Sequence, residues 1–178
     1  MRIGISGTQS VGKTTLLNAL RSEEFFKDYT VCNEVTRWVK SLGLPINEGG
    51  TDSTQELIMM KHVYNVFMND NMITDRTALD GLVYSNWLYD NKKISDQTLH
   101  RVEEVFDKLI NSYDYMFFIE PEFDVVNDGV RSTDVTFRDE IHTLFKEAIN
   151  RHGLTVYPIK GSVRLRVEQV LKTLNIQD

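Results

Sequence analysis

The sequence predicts an α/β fold of three layers, a five-stranded parallel sheet with helices on both faces. Three observations predict it. Short apolar runs alternate with longer segments of helical period along the whole chain. The chain opens on a strand, a glycine-bearing loop and a helix, in that order, within residues 2–20. Near the middle stands YMFFI, Tyr115 to Ile119, five continuous apolar residues fit for a strand buried on both faces.

The elements follow in order. Ile3 and Ile5 alternate in a short run ending at Ser6, the first strand. From Thr14 to Leu20, Leu16, Leu17 and Leu20 repeat at helical spacing. Tyr29 to Asn33, YTVCN, is β-branched and reads as the second strand, with a helix from Thr36 to Leu42. Residues 43–50, GLPINEGG, form a loop by composition. Asp52 with Gln55 resembles a capping box, and the helix it opens runs to about Phe67 with Leu57, Met60, Tyr64 and Phe67 along one face. Asn71 to Asp75 is the third strand, Leu79 to Tyr89 a helix, and Ser95 caps another that reaches Leu109. Tyr115 to Ile119 is the fourth strand, ended by Pro121, and residues 127–133 form a polar loop. Phe137 to Arg151 is a helix stopped by Gly153. Thr155 to Ile159 is the fifth strand and Val163 to Leu174 the closing helix.

Length and composition bound the rest. The chain has 178 residues, the size of one domain, 1–178, with a lid-like segment at about 121–138. Its net charge of −6 argues against a surface built for non-specific nucleic-acid binding, though not against a local basic groove. The single cysteine, Cys32, sits in an apolar run and reads as core; a lone thiol suits a reducing, cytoplasmic location. The first strand begins at residue 2, leaving no place for a leader peptide, and no apolar run approaches a membrane span. His62, His100, His142 and His152 show no metal-ligand spacing and receive no function.

The loop after the first strand carries the most specific signal. Gly7, Gly12, Lys13 and Thr14 satisfy G-x-x-x-x-G-K-[ST], the P-loop pattern. Its glycines let the backbone turn and aim N–H groups at phosphate oxygens, and the following helix adds its positive end. Lys13 reaches the β- and γ-phosphates, and the Thr14 hydroxyl suits Mg²⁺. The loop residues Gly7, Ser10, Val11, Gly12, Lys13, Thr14 and Thr15 are therefore expected to bind nucleotide.

In parallel sheets ligands sit at the carboxyl ends of the strands. The second strand leads to Glu34 and Arg37, an acid suited to take a proton from a hydroxyl and an arginine suited to clamp a phosphate. The plainer reading is an ion pair at a helix start. The third strand ends in Asp75 and Arg76: a carboxylate for Mg²⁺ and a cation directed at transferred phosphate, or an N-cap and a solvated arginine. Arg131 and Arg138, seven apart, fit a segment that closes over phosphates, or a surface loop. Gly161 and Ser162 after the fifth strand flank the adenine or simply cap the last helix. Asp80, Tyr84 and Trp87 share a helical face, as an acceptor wall or as core.

These motifs together resemble the small P-loop kinases, above all the family that includes the nicotinamide-riboside kinase module of bifunctional proteins of NAD biosynthesis. The resemblance spans nearly the whole chain through GTQSVGKTT, EVTR, ITDRT, YDYMFFIEP, DGVRS with FRDEI, and VYPIKGS. The acid-x-x-Arg spacing is also similar to that of phage polynucleotide 5′-kinases, and the Asp-Arg pair to that of thymidylate and deoxynucleoside kinases. The resemblance implies strand order 2-3-1-4-5 and an ATP- and Mg²⁺-dependent kinase acting on a small nucleoside or nucleotide. Lys13, Glu34, Arg37, Asp75, Arg76 and Arg131 are its expected catalytic residues, with Thr14 and Asp75 on the metal. The alternatives are a kinase acting on DNA, at a 5′-hydroxyl or a hydroxymethylated base, and a non-catalytic nucleotide-binding module. Glu34 is followed by valine where deoxynucleoside kinases have proline.

Overall fold

The computed structural model describes residues 1–121 and 135–176. Five parallel strands, β1 (Arg2–Ser6), β2 (Thr30–Cys32), β3 (Met72–Asp75), β4 (Tyr115–Ile119) and β5 (Tyr157–Ile159), form one sheet in the order β2-β3-β1-β4-β5. The described residues form seven α-helices around them: α1 (Lys13–Leu20), α2 (Val35–Ser41), α3 (Asp52–Met68), α4 (Ala78–Asp90), α5 (Asp96–Leu109), α6 (Val135–Arg151) and α7 (Val163–Thr173). The edge strands β2 and β5 are shorter than the sequence predicts. Each has a neighbour on one side only, and Pro158 within β5 has no N–H to give a ladder.

The pleat sorts the core into two faces. Ile3, Ile5, Ile73, Phe117, Ile119 and Ile159 pack with Leu16, Leu17, Leu20, Val167 and Val170 of α1 and α7. On the opposite face Met72, Met116 and Phe118 meet side chains of α4, α5 and α6, among them Leu79, Val83, Phe106, Ile141 and Phe145. Cys32 lies in this second cluster as a buried free thiol, its pKa raised by burial, which is the expected core role. A smaller cluster of Val35, Val39 and Ile58 joins α2 to α3.

Two helix details differ from the sequence reading. The capping box of α3 is one residue earlier: Thr51 is the N-cap, and its N–H donates to Thr54 Oγ1 at 2.7 Å. Asp52 is engaged elsewhere, accepting from the backbone N–H of Ser95 at 2.7 Å. The apolar stripe of α3 also points outward. Met60, Tyr64 and Phe67 are 66, 54 and 75% exposed, while Thr54, Gln55, Ile58, Met59, His62, Asn65 and Val66 are buried. On the inward face Met59 and Val66 join the core, while Gln55, Ile58 and His62 line a pocket.

No helix among the described residues is long and apolar enough to cross a membrane.

Candidate active site at the strand ends

The loop between β1 and α1 takes backbone conformations that its glycines permit. Gly7 has φ 145° and Gly12 φ 92°. A Cβ on Gly7 would lie 2.6 Å from the carbonyl oxygen of Ile119, so the loop runs tight against the end of β4. Lys13, 4% exposed, folds back into the loop, its Nζ donating to the carbonyls of Gly7 at 2.8 Å and Thr8 at 2.5 Å. Burial above all, with the Arg76 cation adding to it, lowers the Lys13 pKa to about 8; Asp75, Asp80 and Glu34 pull it back up.

Register carries Asp75 to this loop. Ile5 pairs with Asp75 across the β1–β3 ladder, and the Arg76 N–H donates to the carbonyl of Ile5 at 3.0 Å. Thr14 Oγ1 donates to Asp75 Oδ2 at 2.5 Å. Asp75 Oδ1 is fully buried and has no hydrogen-bond partner among the described residues. Burial raises the Asp75 pKa, Glu34 adds to that, and Lys13, Thr14 and Arg76 oppose it. Asp75 is not the cap of α4. That place belongs to Thr77, whose Oγ1 accepts from the Leu79 N–H and whose own N–H donates to Asp80. An orphaned carboxylate oxygen beside a threonine hydroxyl is a fitting donor pair for Mg²⁺, which takes one or two protein oxygens and fills its octahedron with phosphate and water. Among the described residues there is no cluster of three or more His, Cys, Asp or Glu groups that would hold a metal by themselves.

Glu34, at the N-cap of α2, ties β2 to β3. Its carboxylate is 4% exposed and accepts hydrogen bonds from Thr36 Oγ1 at 2.9 Å, Arg37 Nε at 2.9 Å, and Arg76 Nε and Nη2 at 3.1 and 3.0 Å. Glu34 and Arg37 thus form the ion pair at a helix start, and Arg76 joins the same carboxylate from the end of β3. Arg76 is buried and has φ 80°, a left-handed backbone. Burial pulls its pKa down, but Tyr84, Glu34 and Asp80 outweigh this and hold it firmly charged. Its guanidinium carbon lies 4.8 Å from the centre of the Tyr84 ring, and Asp80 Oδ1 is 3.5 Å from Nη1. Tyr84 in turn donates to Gln9 Oε1 of the loop at 2.9 Å.

Beside Arg76 a pocket is lined by Thr36, Gln55, His62, Asp80 and Tyr84, with about 20 Å³ of free space, room for about one water. Of the suggested acceptor wall, Asp80 and Tyr84 are here. Trp87 turns instead toward α6, its indole N–H donating to Glu140 at 2.6 Å and its ring 4.6 Å from that of Phe137.

With this geometry in place, a family model described as an AAA domain matches residues 2–166. The chain belongs to the AAA domain family. This AAA domain has the fold of the small P-loop kinases, in the strand order that the sequence resemblance implies. NadR, solved in complex with NR, superposes with a TM-score of 0.75 at 17% identity, over 99% of this chain and 52% of NadR. The chain thus spans about half the length of NadR. A deoxyadenosine kinase from M. mycoides, solved with dCMP and a flexible dCDP, gives 0.71 at 16% identity over 98% of both chains. YorR of Bacillus subtilis, solved with phosphorylated GDP, gives 0.60 at 18% identity over 99% of this chain and 96% of YorR. No curated protein matches the sequence.

Six of the expected residues, Lys13, Thr14, Glu34, Arg37, Asp75 and Arg76, converge on one cleft. Arg131 lies outside the described residues, as does most of the segment suggested as a lid. Arg138, at its far end, is half-buried on α6 and pairs with Asp139 at 3.4 Å. Ser162 caps α7, its Oγ accepting from the Leu165 N–H at 3.4 Å. Gly161 reaches the loop through a residue that sequence reasoning missed. Arg166, 2% exposed, donates from Nε to the Gly161 carbonyl at 2.8 Å and from Nη1 to the Val11 carbonyl at 2.6 Å. No motif marks it, because its partners are backbone carbonyls 5 and 155 residues away in the chain. Thr15 faces solvent, one step beyond the loop's inner surface.

Proposed function

We propose that this chain is an ATP-dependent phosphotransferase that moves the γ-phosphoryl group to a nucleoside or nucleotide. The observation that carries the reading is the convergence of a phosphate loop, an acid–hydroxyl pair and a doubly arginine-bound carboxylate at the carboxyl ends of β1, β2 and β3. The kinase fold of the neighbours, solved with nucleosides or nucleotides, supports it. On this reading the backbone N–H groups from Gly7 through Thr15 cradle the donor phosphates, and Gly161 and Ser162 stand at the adenine side. Lys13 exchanges the carbonyls of Gly7 and Thr8 for phosphate oxygens. Thr14 and Asp75 would hold Mg²⁺, which supplies charge neutralisation to the phosphates.

The acceptor hydroxyl lies against Glu34. Its oxygen attacks the γ-phosphorus as the bond to the β-phosphate oxygen breaks; the hydroxyl proton passes to the Glu34 carboxylate, and ADP leaves. Arg37 and Arg76 orient the acceptor, and Arg131 joins Lys13 in meeting charge on the transferred group. A screen with labelled ATP tests the reading, with nucleosides, their monophosphates and a short DNA strand as acceptors. Label is expected on a small acceptor. Label on DNA alone would assign the chain to the polynucleotide kinases instead, and hydrolysis without any labelled acceptor would leave a regulatory module.

A further inference from the structure

His62 takes no part in the proposed reaction and no motif points to it, yet both of its ring nitrogens, Nδ1 and Nε2, are buried without a partner among the described residues. The residue is 1% exposed. Its polar neighbours in the pocket are better provided for. Gln55 Oε1 accepts from Ser85 at 3.1 Å, Tyr84 donates to Gln9, and Arg76 is shared between Glu34 and Asp80. A buried polar group left unmade costs about 1–3 kcal/mol, and His62 carries two. A leucine would fill the same place on α3 without that cost.

The ring is also fixed in charge. Burial, and secondarily the Arg76 cation, lowers its pKa to about 3, so it is neutral throughout the physiological range. A neutral imidazole carries one donor and one acceptor at its two nitrogens. Gln55, Ile58 and His62 stand at helical spacings of three and four, and all three line the pocket. The ring thus looks into the same space as Arg76 and Tyr84, one turn of α3 deeper than Ile58. Arg76, which shares Glu34 with Arg37, marks the charged side of that space. A neutral ring with free valences suits the opposite end of a ligand, where charge is absent.

We propose that His62 is a specificity-determining residue of the acceptor pocket, one of its ring nitrogens pairing with the uncharged polar edge of the acceptor, such as that of a nucleobase or a carboxamide. This rests on reading the pocket as the acceptor site. The pocket as it stands has space for about one water, so the acceptor enters by displacing its lining. His62 then gains on binding a hydrogen bond it lacks, which makes the gain specific to ligands that supply the matching group. A site built for such an edge rejects analogues that lack it far more strongly than an apolar pocket rejects a missing methylene.

The test uses the full chain and three variants of position 62. Adenosine, deoxycytidine, thymidine and nicotinamide riboside are offered with ATP, each beside an analogue lacking one edge group, such as purine riboside for adenosine. His62→Leu is expected to raise KM for the best acceptor by about 10- to 100-fold, to leave KM for ATP unchanged and to keep or raise Tm. It should also abolish the preference for the intact edge over its analogue. His62→Gln, which retains a donor and an acceptor, should restore part of the affinity; His62→Phe should not. Nitrogen-15 spectra of histidine-labelled protein give a readout independent of turnover, since the His62 nitrogens should shift on titration with the best acceptor. An unchanged acceptor KM and edge preference in His62→Leu would overturn the proposal while leaving the kinase reading standing. So would a parallel rise in both KM values with a lower Tm, which marks a structural role. If none of the panel is phosphorylated and none shifts the His62 nitrogens, the acceptor reading and this proposal fall together.

Discussion

Lys13 provides a sharp test of how the phosphate loop works, because burial holds its pKa at about 8. At pH 7 about nine tenths of the free protein carries the ammonium there; at pH 9 about one tenth does. A bound triphosphate places several negative charges beside Nζ and returns its pKa toward 10.5. ATP binding at pH 9 should therefore take up about 0.9 proton, against about 0.1 at pH 7, and the affinity should fall about tenfold between the two. Calorimetric titration in two buffers of different ionisation enthalpy reads the proton count directly. Lys13→Met is the control: its ATP affinity should be weak at both pH values and its proton uptake nearly constant. Equal uptake at pH 7 and 9 in the unaltered chain would refute the reasoning, since Lys13 would then be an ordinary exposed lysine or would not meet phosphate. The same displacement bears on stability. The folded chain pays about 3 kcal/mol to bury the ammonium at all pH values below about 8. That penalty is relieved as pH rises from about 8 to 10.5, where the folded form has lost the proton and the unfolded form still holds it.

Three further outcomes are expected. Asp75→Asn removes the charge beside Thr14 and should shift the Mg²⁺ titration of turnover to higher concentration by at least tenfold; an unchanged titration would remove Asp75 from the metal. Arg166→Met deletes two hydrogen bonds from a buried cation to the Val11 and Gly161 carbonyls, each worth about 1.5–3 kcal/mol. KM for ATP should rise while that for the acceptor stays put, and Arg166→Lys should restore part of it. Gly81→Ala places a Cβ 2.3 Å from Met59 Sδ in the core, so urea denaturation should show a loss of about 1–3 kcal/mol, reduced when Met59 is truncated as well.

The sheet and most helices were legible in the sequence because each rests on local pattern. YMFFI, five continuous apolar residues fit for a central buried strand, forms β4, and Gly153, at φ 59°, closes α6 where the sequence stops it. The phosphate loop was equally plain, since four spaced residues encode a backbone shape. Placement at strand ends brought out Glu34, Arg37, Asp75 and Arg76, because a parallel sheet carries every carboxyl end to one edge. What stayed hidden depends on contact between distant segments. The apolar run of Met60, Tyr64 and Phe67 faces outward because the strand ends beneath α3 call for Gln55 and His62, and periodicity alone does not say which of two faces meets the sheet. Thr51 and Asp52 both suit a helix start; the choice was made by Ser95, 43 residues on from Asp52. Arg166 reads as one more surface arginine until the fold sets it against Val11.

The left-handed backbone of Arg76 has a consequence for how this chain tolerates change. A non-glycine residue at φ 80° costs on the order of 1–3 kcal/mol, and here Thr74 Oγ1, donating to the Arg76 carbonyl at 2.9 Å, helps hold it. Glycine or asparagine at position 76 would relax the backbone but abandon Glu34, Asp80 and the Tyr84 face together. That loss would leave two buried carboxylates without the Arg76 cation, at about 3–5 kcal/mol, more than the relaxed backbone returns. The strained backbone at position 76 is thus held in place by the buried charges around it, and a redesign that chose residues by backbone conformation alone would lose melting temperature there.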